Sequence, residues 1–256
     1  MKPSLQNTIT NTPELVLEIK KLNKSFGDNH VLKNFNMKLY KGENLVIMGK
    51  SGSGKSVMIK CLVGLIEADS GTISVMHKDI TTLNQTALDI LRADIGFLFQ
   101  GSALYDSMTV RENLEFPLRR HSNKFGKHIQ TTDLVMEALE NVGLSHAVDL
   151  MPAELSGGMQ RRVALARTLI IKPKIILYDE PTSGLDPITA KEIIMLMQDI
   201  QKKYHTSSLI ITHDVDFARV VSDRMILLID GTNYAEGTFK DLSSSNDPKI
   251  KAFFKH

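Results

Sequence analysis

Cysteine, tryptophan and long apolar runs are almost or wholly missing from this chain of 256 residues. Its single cysteine, Cys61, cannot build a disulfide framework, and such sparse use of cysteine indicates a reducing compartment. No apolar stretch approaches the roughly 18 residues that cross a bilayer, and the polar residues 1–11 lack the apolar core of a secretory signal. These absences predict a soluble globular protein of the cytoplasm.

An excess of charge of either sign is missing as well. Lys and Arg together number 31 and Asp and Glu 29, so the formal net charge is only +2. We therefore expect no nucleic-acid partner, although a local basic patch stays open. At 42% hydrophobic and 23% charged residues, the composition is that of an ordinary globular chain, long enough for one elaborate domain or two small ones.

The hydrophobic pattern alternates between strand-like and helix-like segments. Strand-like runs are predicted at residues 15–20, 31–39, 44–48, 175–178, 209–212 and 225–229. Helical spacing is predicted at residues 110–118, 132–142, 159–171, 190–203, 215–221 and 247–256. Because parallel strands need crossover helices, this alternation predicts an α/β fold with a mostly parallel sheet and a helical insertion in its middle. The polar residues 1–13 are predicted to be a loose tail, and the last helix is expected to dock on the core.

A glycine-rich loop follows the third strand-like run and leads directly into a helical pattern. Its sequence, GKSGSGKS, fits G-x-x-x-x-G-K-[ST] at every fixed position. Glycines let successive N–H groups turn inward around an anion, and the following helix points its positive end at the same anion. Lys55 is suited to the β- and γ-phosphates and Ser56 to Mg²⁺. A flexible Ser/Gly loop is the alternative, but the strand before it and the helix after it favour a phosphate site. The predicted nucleotide-binding residues of the loop are Gly49, Lys50, Ser51, Gly52, Ser53, Gly54, Lys55 and Ser56.

Two carboxylates stand at the end of an apolar run. Residues 175–180, with the sequence IILYDE, place Asp179 and Glu180 at the carboxyl end of a predicted strand. That end is the ligand edge of a parallel sheet. Asp179 is suited to hold Mg²⁺ through water, and Glu180 is suited to orient and polarise an attacking water. A surface turn begun by Pro181 is the alternative, but beside the glycine loop the pair predicts a nucleotide hydrolysis site.

A second candidate anion site lies in residues 155–162, LSGGMQRR. Ser156, Gly157 and Gly158 open a predicted helix, whose first N–H groups are free to bind phosphate. The glycine loop already holds the phosphates of one nucleotide, so this turn is expected to face the nucleotide of another subunit. That expectation predicts a dimer. A plain helix cap by Ser156 is the alternative, and both roles can coexist.

Together these segments resemble an ATP-binding cassette (ABC) ATPase, and the resemblance covers roughly residues 14 to 240. Residues 49–56 match the family's Walker A motif and residues 175–180 its Walker B motif. Residues 155–159 match its signature motif, with Met159 in place of the commonest Gln.

Three further positions and one further segment carry the same resemblance. Gln100 matches the Q-loop glutamine, which senses Mg²⁺ and touches the membrane partner, and His213 matches the switch histidine that faces the γ-phosphate. Phe26 takes the place of the aromatic residue that stacks on adenine, where Tyr is more usual. Residues 183–186 match the D-loop, which crosses the dimer interface in this family.

The resemblance implies an α/β fold of the P-loop NTPase type. It would be an ABC-type ATPase core with a mostly parallel sheet, an N-terminal antiparallel β region and an inserted helical subdomain at about residues 101–170. The nucleotide-binding domain would span residues 14–240, followed by a short helical tail over residues 241–256. ATP and Mg²⁺ are the implied cofactors. The implied catalytic residues are Lys55, Gln100, Glu180 and His213, and the implied metal ligands are Ser56, Gln100 and Asp179. The implied nucleotide contacts outside the glycine loop are Phe26, Gln100, Ser156, Gly157, Gly158, Asp179, Glu180 and His213.

Within the family, the closer resemblance is to ATPases of bacterial Mla/Mce-type lipid transport systems. It rests on residues 99–110, 112–113, 117–118 and 183–190. It implies a second copy of the chain, an integral-membrane permease, a small regulatory subunit and an Mce-type lipid-binding protein as partners. The chain would then lie on the inner face of the inner membrane of a diderm bacterium. Open alternatives are the ATPase of an amino-acid or osmolyte importer, a soluble ABC ATPase of translation or DNA repair, and a nucleotide-binding regulator without turnover.

Overall fold

The structure is a computed structural model that describes residues 13–121, 124 and 130–254. The predicted loose tail therefore lies outside the described residues except for Pro13, and so do the last two residues of the predicted C-terminal helix. The strands are β1 (Leu15–Phe26), β2 (Asn29–Tyr40), β3 (Asn44–Met48), β4 (Ser70–Val75), β5 (Lys78–Asp79), β6 (Ile95–Leu98), β7 (Ile175–Asp179), β8 (Ser207–Thr212), β9 (Arg224–Ile229) and β10 (Thr232–Gly237). The α-helices of the described part are α1 (Lys55–Leu62), α2 (Gln85–Arg92), α3 (Val110–Arg120), α4 (Thr131–Glu140), α5 (Gly157–Leu169), α6 (Pro187–Tyr204), α7 (Val215–Val221), α8 (Phe239–Ser243) and α9 (Pro248–Phe254).

A six-stranded sheet in the order β10-β9-β3-β8-β7-β6 forms the centre of the molecule. Its last five strands in this order are mutually parallel, and β10 pairs antiparallel with β9. Every residue of β3 and of β8 is buried, as expected for strands with both faces covered. The predicted mostly parallel sheet is confirmed, and it brings the carboxyl ends of β3, β7 and β8 to one edge.

A smaller antiparallel sheet, in the order β2-β1-β4-β5, is formed near the N-terminus. Leu17 and Ile19 of β1 are buried together with Phe35 and Leu39 of β2. They share one hydrophobic core with α1 and with one face of the large sheet. The predicted N-terminal antiparallel β region is therefore confirmed. Cys61 is buried in the same core, which agrees with its structural role.

Helices α3, α4 and α5 lie between β6 and β7 and bury a hydrophobic cluster of their own. Helix α3 begins at a capping box, in which Thr109 accepts from the backbone N–H of Glu112 and the Glu112 carboxylate accepts from that of Thr109. The expected helical insertion is thus found between two strands of the parallel sheet.

No helix of the described residues is both long and apolar enough to span a membrane.

The C-terminal helix α9 docks on the core, as predicted. Ile250 is buried in the cluster that covers the second face of the large sheet, and Phe253 and Phe254 pack against that cluster. The ring of Phe254 meets that of Phe239 edge to face, with 5.4 Å between centroids.

Candidate nucleotide site

The glycine loop joins the carboxyl end of β3 to the first turn of α1. Gly52 and Gly54 take φ values of 78° and 105°, a backbone conformation that side chains disfavour. A Cβ atom at Gly54 would also lie 3.0 Å from the carbonyl oxygen of Val31. No side chain caps the first turn of α1, so its N–H groups are left for an anion.

Lys55 lies over the same loop. Its Nζ donates to the carbonyl oxygens of Gly49 at 2.6 Å and Lys50 at 3.0 Å. Burial lowers the pKa of Lys55, and the nearby carboxylates of Glu180 and Asp179 oppose that shift. The ammonium group is therefore positioned between the phosphate loop and the two acidic residues, where it can reach a bound triphosphate.

Asp179 and Glu180 stand at the carboxyl end of β7, as predicted. Burial raises the pKa of Asp179, and the neighbouring carboxylate of Glu180 raises it further. Glu180 has a φ of 49°, and its side chain is only 13% exposed. A cation bound beside this pair would relieve the repulsion between two half-buried carboxylates.

His213 follows β8, the strand next to β7 in the sheet. The parallel register pairs Asp179 with Ile211, and the N–H of Glu180 donates to the Ile211 carbonyl at 2.9 Å. This register places His213 Nδ1 2.9 Å from Glu180 Oε1. The other ring nitrogen of His213, whose side chain is 69% exposed, is left to face a ligand.

A cleft of about 620 Å³ brings most of the predicted residues together. Gln100, which follows β6 by two residues, lies in it and donates from Nε2 to Ser183 Oγ at 3.2 Å. Phe26 closes another side, with 49% of the residue exposed and Lys24 Nζ 5.3 Å from its ring centroid. The predicted residues that line the cleft are Phe26, Ser51, Gly52, Gly54, Lys55, Ser56, Gln100, Asp179, Glu180 and His213.

Gly49, Lys50 and Ser53 do not line this cleft. Gly49 is required because a Cβ there would lie 2.5 Å from Ser53 Oγ and 2.8 Å from the Leu228 carbonyl oxygen. Lys50 and Ser53 line a second cavity of about 720 Å³ on the other side of the loop. Within the described part of the chain, Ser53 Oγ is buried and makes no hydrogen bond.

Ser156, Gly157 and Gly158 also lie outside the cleft of their own chain. Ser156 caps α5, since its Oγ accepts from the backbone N–H of Met159 at 3.3 Å. The predicted cap is therefore confirmed, and the role of this turn as an anion site stays a prediction. A Cβ at Gly157 would meet no atom within 4 Å, whereas one at Gly158 would lie 2.6 Å from Thr189 Cγ2. Open space therefore lies next to Gly157 in the described part of the chain.

The donors in the cleft fit a magnesium ion that is bound together with phosphates. Within residues 13–121, 124 and 130–254, no group of His, Cys, Asp and Glu side chains could hold a metal by itself. Mg²⁺ ordinarily takes one or two protein carboxylates and completes its shell with water and phosphate oxygens. The Asp179 carboxylate, the Ser56 hydroxyl and the Gln100 amide oxygen are suitable oxygen donors on one cleft.

Two apolar residues of the cleft, Val31 and Val57, were not predicted. Val31 lies in β2 and Val57 in α1, and neither belongs to a polar motif. From the sequence, an apolar residue that lines a ligand cleft cannot be distinguished from one that packs in the core. Ser183 was predicted only as part of residues 183–186. Its hydrogen bond to Gln100 depends on a spatial neighbour 83 residues away.

Comparison with curated proteins finds similar chains among transport ATPases. The chain is 39% identical over 239 residues to a probable ribonucleotide transport ATP-binding protein of Mycobacterium leprae, covering 93% of this chain and 68% of that protein. It is 40% identical to the methionine import ATP-binding protein MetN of Clostridium tetani, covering 92% of this chain and 73% of that protein. It is 35% identical to the intermembrane phospholipid transport system ATP-binding protein MlaF of Haemophilus influenzae, covering 94% and 90%.

A solved structure gives the same result for the fold. A dimeric ATP-binding cassette in a post-hydrolysis state, bound to ADP and Pi, superposes with a TM-score of 0.78 at 33% identity, covering 87% of this chain and 98% of that one. Residues 32–183 match the family described as "ABC transporter". The chain therefore belongs to the ABC transporter family, as an ATP-binding subunit that hydrolyses ATP.

Proposed function

We propose that two copies of this chain enclose two ATP molecules and drive a membrane permease. The observation that carries the proposal is the division of the site. The cleft gathers Lys55, Asp179, Glu180 and His213, whereas residues 156–158, here called the signature turn, lie outside it at the start of α5. A second copy, turned head to tail, would bring its signature turn to the open side of the ATP. The dimeric state of the similar cassette supports this arrangement.

In the proposed nucleotide complex, Phe26 stacks on the adenine and the glycine loop holds the β-phosphate through its N–H groups. Lys55 exchanges its two loop carbonyls for phosphate oxygens. Ser56, Asp179 and Gln100 would hold Mg²⁺, and the ion would neutralise phosphate charge. These contacts bind ATP, and they fix its γ-phosphate towards Glu180 and His213.

In the proposed hydrolytic step, the contact between Glu180 and His213 orients both side chains towards the γ-phosphate. Glu180 orients a water for in-line attack on the γ-phosphorus and accepts its proton as the bond to the β–γ bridging oxygen breaks. Lys55 and the loop N–H groups stabilise the charge that develops on the leaving oxygen. His213, held by Glu180 at 2.9 Å, directs its other ring nitrogen to the γ-phosphate. The complete set of groups favours turnover over a regulator that only binds nucleotide.

The permease is driven because ATP and its hydrolysis products have different affinities for the closed and the open pair of chains. ATP favours the closed pair and its hydrolysis products favour the open pair, so a permease bound to both copies alternates between two states. We assign residues 14–240 to the ABC nucleotide-binding domain, with the helical subdomain at about 101–170 and the C-terminal tail at 241–256. The chain would then lie on the cytoplasmic face of the bacterial inner membrane.

Phospholipid is the cargo that we propose. The MlaF protein of Haemophilus influenzae, named for intermembrane phospholipid transport, is matched over 90% of its length. The methionine importer subunit is slightly more identical but is matched over 73% of its length, so amino-acid import is the rival. On the phospholipid proposal, an Mce-type lipid-binding protein and a small regulatory subunit complete the complex.

The deciding experiment is affinity purification of the tagged chain from membranes of its native cell, followed by mass spectrometry of proteins and lipids. Our proposal expects a permease with an Mce-type protein and bound phospholipid. The chain with Lys55→Ala, purified in parallel, serves as a control for ATP-dependent enrichment. Recovery of an amino-acid permease without an Mce-type protein would establish the rival cargo.

A further inference from the structure

Arg161 of α5 binds the backbone on both sides of the cleft. It is only 4% exposed. Its Nη1 donates to the Phe99 carbonyl at 2.6 Å, and its Nη2 donates to the carbonyls of Gln100 and, at 3.4 Å, of Ser183. One guanidinium therefore joins the signature helix to the Gln100 loop and to the turn after Glu180.

These carbonyls are the only compensation for the charge of Arg161 in the described part of the chain. Among the described residues no carboxylate pairs with it, and its Nε is buried without a hydrogen-bond partner. Burial lowers the pKa of Arg161, because removal from water disfavours the charged guanidinium, and no carboxylate of the described residues opposes that shift. A buried guanidinium that lost its carbonyls would be strongly unfavourable, so α5 and the two loops are expected to move together.

The same helix binds the rest of the Gln100 loop. Thr168 Oγ1 donates to the Phe97 carbonyl at 3.2 Å. Arg167 donates to the carbonyls of Ser102 and Ala103 at 3.1 and 2.8 Å. Both of these loop residues have positive φ values, so their backbone conformation is one that needs support. The loop from residue 97 to residue 103 is thus attached to α5 before, at and after Gln100.

Arg161 lies one turn after the signature turn that caps α5. On the other side, Ser183 accepts from Gln100 Nε2 at 3.2 Å, and its N–H donates to the Glu180 carbonyl at 3.1 Å. A continuous chain of contacts therefore runs from the signature turn through Arg161 to Gln100 and Glu180. The two ends of this chain face different ATP molecules in the proposed dimer.

We propose that Arg161 is a positioning residue that couples the signature turn, bound to the partner's ATP, to Gln100 and Glu180 in its own cleft. The inference rests on the dimer of the proposed function. It assigns to Arg161 no contact with nucleotide. Its fork holds two loops at once, which a lysine ammonium on a flexible stem does not reproduce.

The test compares Arg161→Lys with Arg92→Lys in the full chain. Arg92 is the matched control, because it too donates to backbone carbonyls away from the cleft, of Val63 at 2.9 Å and Gly64 at 3.0 Å. It differs from Arg161 in its ion pair with Asp89. We expect both variants to bind ATP like the wild type by calorimetry. Only Arg161→Lys should lose kcat, roughly 10- to 100-fold, as expected for a displaced reacting geometry. Arg161→Gln is the second variant if Arg161→Lys does not fold.

A double-mutant cycle supplies a readout that a merely structural role would not change. If Arg161 acts through Gln100, the losses of kcat from Arg161→Lys and Gln100→Ala should be far from additive, whereas those of Arg92→Lys and Gln100→Ala should add. Additive losses, or a kcat for Arg161→Lys equal to that of Arg92→Lys, would overturn the proposal. A wild-type chain that neither dimerises with ATP nor hydrolyses it would overturn the proposed function as well.

Discussion

Glu180 combines a chemical role with an uncommon backbone conformation. It stands one residue beyond β7 with a φ of 49°, a region that a residue with a side chain occupies at a cost. Its N–H is held by the Ile211 carbonyl and its carboxylate by His213. The turn after the strand therefore fixes the direction of the carboxylate before any substrate arrives.

Glu180→Gln should separate ATP binding from hydrolysis. The amide keeps the size of the side chain but cannot accept the proton of the attacking water, so we expect kcat to fall about 10²- to 10⁴-fold. ATP binding should survive, and the chain should accumulate as a closed dimer with ATP. Light scattering with and without ATP measures the dimer, and phosphate release measures kcat. Undiminished turnover would remove Glu180 from the role of base.

Lys55→Ala should act on ATP affinity. The variant removes a charged donor to the phosphates, and a loss of about 1.5–3 kcal/mol corresponds to roughly 10- to 100-fold weaker binding. Lys60→Ala is the matched control, since Lys60 lies on the exposed side of the same helix and does not line the cleft. Titration calorimetry gives both affinities. Equal affinities for the two variants would contradict the contact of Lys55 with the phosphates.

At the scale of elements, the signature turn contains two glycines with different reasons to be glycine. Gly158 packs against α6, where a Cβ would lie 2.6 Å from Thr189 Cγ2. A Cβ at Gly157 would meet no atom of the described residues within 4 Å, apart from its chain neighbours and its own helix backbone. Gly158 is therefore required by the fold, whereas Gly157 is open to a ligand or a partner.

Substitution of the two glycines should therefore give opposite results. Gly158→Ala should lose about 1–3 kcal/mol of unfolding free energy through overpacking, and adding Thr189→Ser should restore most of it because the clashing methyl is removed. Gly157→Ala should keep or slightly raise the melting temperature, since alanine favours a helix more than glycine does. Thermal unfolding of the three variants measures these effects. A melting temperature of Gly157→Ala as low as that of Gly158→Ala would contradict the difference.

Several elements were not predicted from the sequence, namely β4, β5, β6, β10, α2 and α8. β5 has two residues, which is too short for any periodicity. β6 contains Gly96, a poor strand former, yet glycine is needed there because a Cβ would lie 2.6 Å from Thr168 Cγ2 of α5. By contrast, β3 and α7 were predicted with the bounds that the structure gives. A run of four apolar residues after Asn44 specifies β3 locally, and a helical spacing of apolar residues specifies α7.

At the scale of the whole molecule, the proposed dimer predicts complementation between two inactive chains. Glu180→Gln damages the cleft, and Gly157→Glu places a carboxylate where the partner's γ-phosphate would lie. Each chain alone should be almost inactive. In a mixture, random pairing gives mixed dimers with one intact site each, so activity should recover to about a quarter of the wild type.

The control is a mixture of two different chains, one with Glu180→Gln and the other with Lys55→Ala. Both lesions lie in the cleft of their own chain, so every dimer has two damaged sites and no recovery is expected. ATPase rates of the separate and mixed chains are the measurement. Equal recovery in both mixtures, or none in the first, would contradict a site that is shared between two copies.

The sequence by itself determined the phosphate loop, the carboxylates at the end of β7 and the order of the family's motifs. These features are local: a strand, a glycine turn and a helix start lie within a dozen residues and carry their own conformational signals. Only the tertiary structure decided that His213 meets Glu180, that the signature turn leaves the cleft of its own chain, and that Arg161 holds the loops around Gln100 and Ser183. The contact of His213 with Glu180 depends on the register of two strands that are distant in the sequence. The positions of the signature turn and of Arg161 depend on how α5 packs, and Phe99 is more than sixty residues from Arg161 along the chain.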